Sequence, residues 1–186
     1  MQKKSLEQRY SLSVTFSHFI LLKTEEIKIT FNTYSSLDQL QDWQIQLIQA
    51  AEKVSYQAYA PYSKFCVGAA ILLDNGEVIT GTNQENAAYP SGLCAERTAI
   101  FYAKTQYPQQ RVICVAVVAR KEESKELLPV TPCGACRQAL LEYELQQLSP
   151  IQILLRGNEG TYCEIKSLQD LLPISFNKKS LGEEAK

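Results

Sequence analysis

A chain of 186 residues, 45% hydrophobic and 21% charged, suits one domain with a substantial core. Its 19 Lys and Arg against 20 Asp and Glu leave a net charge of −1 and no basic run, which argues against a nucleic-acid polymer as ligand but leaves a single nucleoside open. No apolar stretch nears the roughly 20 residues of a membrane helix and no signal-peptide pattern is evident, so a cytoplasmic protein with no membrane partner is expected.

Residues 1–35 precede the recognisable elements. Tyr10 to Leu22 lacks clean alternation and reads either as an extra strand or as a disordered leader, whereas Ile27-Lys28-Ile29-Thr30-Phe31 alternates as a short strand. Ser36-Leu37-Asp38-Gln39 fits a capping box, and Leu37, Leu40, Trp43, Leu47, Ala51 and Val54 recur at helical spacing, predicting a helix that ends near Tyr59, ahead of Pro61. Val67 to Leu73 is apolar nearly throughout, as a strand covered on both faces would be. Asp74-Asn75-Gly76 then predicts a hairpin turn with two positive φ angles, and Glu77 to Thr82 the returning strand.

Asn83 to Leu93 reads as a loop, Cys94 to Lys104 as a helix, and Val112 to Ala119 as a central buried strand. Lys121 to Glu126 is a charged surface loop. A third helix is expected over Cys133 to Leu145, with Ala135, Ala139 and Leu140 facing inward. Strands at Ile151 to Leu155 and Tyr162 to Lys166, a short helix from Ser167 to Leu172 and a fraying polar tail from Asn177 complete the chain. The fold class is α/β: three layers, α/β/α, around a mixed five-stranded sheet, plus the N-terminal segment.

Two short motifs carry chemistry. Cys133 and Cys136 lie three apart at a helix start, on one face, where unpaired N–H groups favour thiolates. Cys94 opens another helix. Two helix N-termini facing one another would aim all three sulfurs at one point. In a reducing compartment a Cys-x-x-Cys with a distant third cysteine points to zinc rather than disulfides. Cys66, Cys114 and Cys163 fall in strands and His18 in the leader, so no fourth ligand stands out. An open coordination position means water whose pKa the metal lowers. Glu96, two residues beyond Cys94, can move its protons, and Arg97 can offset the negative charge of three thiolates.

Tyr59-Ala60-Pro61-Tyr62-Ser63-Lys64-Phe65, Val67-Gly68-Ala69-Ala70, Asn83-Gln84-Glu85-Asn86-Ala87-Ala88-Tyr89-Pro90, Cys94-Ala95-Glu96-Arg97-Thr98-Ala99 and Pro132-Cys133-Gly134-Ala135-Cys136-Arg137-Gln138 resemble the small homotetrameric cytidine deaminases, as do Leu171-Leu172-Pro173 and Phe176. The resemblance runs from about residue 40 to 181 and divides the chain into an extension over 1–35, a deaminase domain over 36–181 and a polar tail over 182–186. It implies hydrolytic deamination of cytidine and 2′-deoxycytidine in pyrimidine salvage, with one Zn²⁺ per chain on Cys94, Cys133 and Cys136 and with Glu96 as proton shuttle. Asn83 and Glu85 would hold the ribose 3′-hydroxyl, Phe65 would pack on the pyrimidine, and the backbone at Ala95 would contact the base. A homotetramer with shared active sites is implied too, Tyr89 and Phe176 serving a neighbouring subunit's pocket. Cys66 departs from the pattern at a position outside the ligand set. The competing readings are a related deaminase of another nucleoside, nucleotide or nucleic-acid base, and a zinc module without catalysis.

Overall fold

The computed structural model describes residues 23–182. Seven strands form one sheet: β1 (Asn32–Tyr34), β2 (Phe65–Leu73), β3 (Val78–Thr82), β4 (Val112–Lys121), β5 (Leu127–Leu128), β6 (Gln152–Arg156) and β7 (Tyr162–Ile165). The spatial order is β1-β7-β6-β4-β2-β3, with β5 pairing β4 beside this path. Only the β4–β6 pair is parallel among those formed by the named strands. Three helices cover the sheet: α1 (Asp42–Ser55), α2 (Ala95–Gln106) and α3 (Gly134–Gln147).

Alternation along β4 explains the layering. Cys114, Ala116 and Val118 join Leu47, Ile48 and Ala51 of α1 on one face, while Val115 and Val117 join Ala99 and Ile100 of α2 and Leu140 and Leu141 of α3 on the other. Side chains of successive strand residues point to opposite faces, so an unbroken apolar run has to be covered twice. The three-layer α/β/α expectation holds.

The sheet has two strands more than the five expected. β1 and β5 are three and two residues long, too short to show a period, and pairing with β7 and β4 makes them strands. The expected strand at Ile27 to Phe31 carries no ladder among the described residues; pairing starts at Asn32. Tyr10 to Leu22, with His18, lies outside the described residues.

Several boundaries also move. Ser36 leads into a 3-10 turn, Leu37–Gln39, and α1 starts only at Asp42. There the Gln44 side chain accepts the Gln41 N–H at 3.0 Å, closing the helix entrance. α1 stops at Ser55 rather than near Tyr59, because Tyr59 is drawn into backbone pairing: its N–H reaches Asn83 O at 3.1 Å and its carbonyl accepts Glu85 N–H at 2.9 Å. In the hairpin only Gly76 takes a positive φ, +88°, so Asn75 lacks the left-handed conformation expected of it. Ala135 is exposed and Ala139 half-buried, since Cys136 takes the inward position in the first turn of α3. The tail from Asn177 begins with another 3-10 turn, Lys178–Leu181, capped by Asn177. No helix among the described residues is long and apolar enough to cross a membrane.

Candidate active site

α2 and α3 begin beside each other. Cys94 is the N-cap of α2, Cys133 that of α3, and Cys136 lies in the first turn of α3. The stripe Ala95, Ala99 and Ala103 is fully buried and seats α2 on the sheet, facing Gly81 of β3. α3 is fastened by Arg137, whose guanidinium donates to Pro132 O at 2.8 Å and Leu171 O at 3.0 Å.

The three sulfurs converge as the two motifs predict. Cys94 Sγ lies 3.8 Å from Cys133 Sγ, and Cys133 Sγ lies 3.4 Å from Cys136 Sγ, with all three within 4.8 Å of one another. Disulfide sulfurs would be about 2.05 Å apart. Ligands at a Zn–S distance of about 2.3 Å on a tetrahedron would be about 3.8 Å apart, so the cluster fits a zinc ion in spacing and in donor type. Cys66, Cys114 and Cys163 are free and stand outside it.

Hydrogen bonding with Cys136 pulls the Cys94 thiol down to about 5; burial opposes this, while Arg97 and Cys133 reinforce it. Cys136 is pushed up by the same bond and by its burial. Arg97 Nη2 lies 3.7 Å from Cys94 Sγ, the place expected of a group that offsets thiolate charge. Arg97 Nε has no hydrogen-bond partner and is, among the described residues, the buried side-chain polar atom left over.

Glu96 is 4% exposed and lines the same pocket as Cys94 and Cys133. Burial raises its pKa, its own backbone N–H works against that, and the charge of Cys94 adds to the rise. A carboxyl group raised above its ordinary range is suited to both accept and donate a proton.

The pocket measures about 830 Å³ and also contains Phe65, Asn83, Glu85 and Tyr89. Gln84 brings this wall to the sulfurs by exchanging backbone hydrogen bonds with Leu93 at 2.8 and 3.0 Å, one residue before Cys94. Asn83 is committed to the edge of β2: its Oδ1 accepts Val67 N–H at 2.8 Å and its Nδ2 donates to Phe65 O at 2.9 Å, which leaves one amide hydrogen free. Glu85 accepts the N–H groups of Tyr62 and Ser63 and the Ser63 hydroxyl. Tyr89 stacks edge-on against Tyr62, with centroids 6.4 Å apart.

Two expected contact residues are not among the pocket's lining. Ala95 is wholly buried, and Phe176 is 60% exposed, its carbonyl accepting from Gln138 Nε2 at 2.9 Å. Sequence reasoning missed Ser63 and Arg137 as site builders. Both lie inside quoted motifs, but nothing in the spacing says that one would hold Glu85 and the other the start of α3.

Comparison with known proteins agrees with this geometry. The family described as cytidine and deoxycytidylate deaminase zinc-binding region matches residues 41–150. A cytidine deaminase from Halalkalibacterium halodurans is 40% identical over 139 residues, which is 74% of this chain and 96% of that protein. A probable cytidine deaminase from Dictyostelium discoideum is 41% identical over 72% of this chain and 84% of its own. Among solved structures, cytidine deaminase from Burkholderia pseudomallei superposes with a TM-score of 0.59 at 39% identity, covering 70% of this chain and 97% of that one. The enzyme from Mycobacterium tuberculosis gives 0.58 at 36%, covering 74% and 98%. With the family matched over more than half its length and relatives matched over nearly all of theirs, the chain belongs to the zinc-binding cytidine and deoxycytidylate deaminase family.

Proposed function

We propose that this protein is a zinc-dependent hydrolase that converts cytidine and 2′-deoxycytidine to uridine and 2′-deoxyuridine with release of ammonia. The observation that carries the reading is the buried carboxyl group of Glu96, which lines one pocket with Cys94 and Cys133 of the three-sulfur cluster. Cys94, Cys133 and Cys136 would hold zinc, which would supply Lewis acidity and bring the pKa of water toward neutrality. Glu96 takes a proton from the attacking water and delivers it to ring N3, then takes the proton of the hydroxyl newly formed on C4 and hands it to the amine, which leaves as ammonia as the C4 carbonyl forms. Arg97 offsets the charge of the thiolates so that the centre stays acidic. Phe65 packs on the pyrimidine, and Glu85 with the free amide hydrogen of Asn83 receives the sugar.

The working form is a homotetramer with shared active sites. Tyr89 lines its own pocket but is 79% exposed, and Phe176 is 60% exposed and outside that lining, so both have surface free to serve a neighbour's pocket. Six free thiols suit the reducing cytoplasm.

The test is loss of absorbance at the cytidine maximum by purified protein holding about one zinc per chain. Chelation is expected to abolish turnover and zinc to restore it. Zinc-loaded protein inert toward both nucleosides sinks the substrate assignment. Sedimentation is expected to give a tetramer; a monomer with full activity removes the shared-pocket roles of Tyr89 and Phe176.

A further inference from the structure

The turn over residues 61–64 brings three donors to one carboxylate. The Ser63 hydroxyl donates to Glu85 Oε1, and the N–H groups of Tyr62 and Ser63 donate to Glu85 Oε2 at 2.9 and 3.2 Å. The direction of the hydroxyl is fixed, because Ser63 Oγ also accepts the Phe65 N–H at 3.0 Å. A carboxylate offers about four acceptor sites. Two donors fill Oε2 and one occupies Oε1, so the remaining site is the second lone pair of Oε1, on a residue that lines the pocket.

The turn is not relaxed by itself. Lys64 has φ +56°, a left-handed conformation that costs a non-glycine residue energy unless the surroundings impose it. The surroundings are the 121–126 loop, read from sequence as mere charged surface. Glu122 N–H donates to Lys64 O at 3.0 Å, and the Lys64 ammonium lies 3.1 Å from the Glu122 carboxylate. Buried Arg120 ties that loop down, donating to the carbonyls of Lys121, Glu122 and Ser124 at 3.0, 2.7 and 3.2 Å while its guanidinium lies 3.7 Å from the centre of the Tyr56 ring.

We infer that Ser63 is a positioning residue for sugar recognition: its hydroxyl holds Glu85 in one orientation, so that a single oxygen lone pair is presented to the 3′-hydroxyl of the nucleoside. The inference rests on the reading of the protein as a nucleoside deaminase in which Glu85 meets the sugar. The gain is preorganisation, since an unfixed carboxylate would lose rotamer freedom each time substrate binds.

The experiment compares cytidine with 3′-deoxycytidine in the zinc-loaded enzyme. Ser63→Ala is expected to raise KM for cytidine about tenfold with kcat within about twofold, and to leave 3′-deoxycytidine unaffected. Ser63→Thr, which keeps the hydroxyl, is expected to restore discrimination. Glu85→Gln, the reference variant, is expected to erase most of it. If Ser63→Ala discriminates like the wild type while Glu85→Gln does not, the role of Ser63 is overturned and that of Glu85 stands. An equal loss on both substrates marks Ser63 as merely structural and also overturns the inference. If Glu85→Gln keeps full discrimination, the sugar-contact reading falls, and Ser63's role with it.

Discussion

Glu96 and Arg97 show how one turn of helix divides the work. Both follow Cys94 at the start of α2 and both line the pocket, but Arg97 also reaches back to the sulfur of Cys94. Neither belongs to the sulfur cluster, so metal binding and the proton transfer proposed for Glu96 can be tested separately. Glu96→Ala is expected to keep about one zinc per chain and to lose roughly 10²–10⁴ in kcat, the usual worth of a positioned acid–base group. Metal analysis beside the absorbance assay checks this, and zinc lost along with activity would reassign Glu96 to holding the metal. Both the triad and its neighbours were legible in the sequence, because spacing within one helical turn translates directly into direction. Ser63 was not, because its partner Glu85 lies 22 residues away in sequence and the two meet only when the turn closes.

The packing of α2 against β3 governs where the N-terminus of α2, and with it Cys94 and Glu96, is placed. A Cβ on Gly81 would sit 2.5 Å from Ala99 N and 2.7 Å from Ala95 O, both helix backbone that cannot rotate aside. Gly81→Ala is expected to push α2 off the sheet and cost about 2–3 kcal/mol. For a chain of this size that lowers Tm by about 4–12 °C. Zinc affinity is expected to fall as well, because the Cys94 sulfur moves relative to those on α3; unchanged Tm and zinc content together would show that α2 is not seated by this contact. The alanine stripe of α2 was visible as a spacing of four. Its counterpart was not, since a glycine in a strand gives no hint of what it touches.

At the scale of the whole molecule, Glu164 joins the first strand to the rest of the sheet. It is 7% exposed and accepts from Asn32 Nδ2 at 2.7 Å, Tyr34 Oη at 2.8 Å, Gln44 Nε2 at 3.1 Å and Gln152 Nε2, linking β1, α1, β6 and β7. Burial pushes its pKa up, but the hydrogen bonds from Asn32, Tyr34 and Gln44 outweigh it, so the carboxyl ends below its ordinary value of 4.5. A depressed carboxyl stabilises the fold fully above that ordinary value and loses its contribution as pH falls through the depressed one. Stability of the wild type is therefore expected to drop as pH falls below 4.5. Glu164→Gln is expected to cost about 1–3 kcal/mol near neutrality, by leaving donors facing an amide, and to flatten the acid slope. Denaturant unfolding followed across pH measures both, and an unchanged slope would remove Glu164 as its source.

By itself the sequence determined the three layers, the meeting of Cys94, Cys133 and Cys136, and the place of Glu96 beside them. Each is written in local periodicity or in spacings of two and three residues, which a helix or strand converts to geometry without outside help. The tertiary structure decided the rest. It joined β1 and β5 to the sheet, ended α1 at Ser55 in favour of the Tyr59 pairing, and committed Asn83 to the backbone of β2. It also made the 121–126 loop a prop for the turn that holds Glu85. These features depend on hydrogen bonds between residues far apart in the chain, and a donor or acceptor carries no mark in the sequence of the partner it will find after folding.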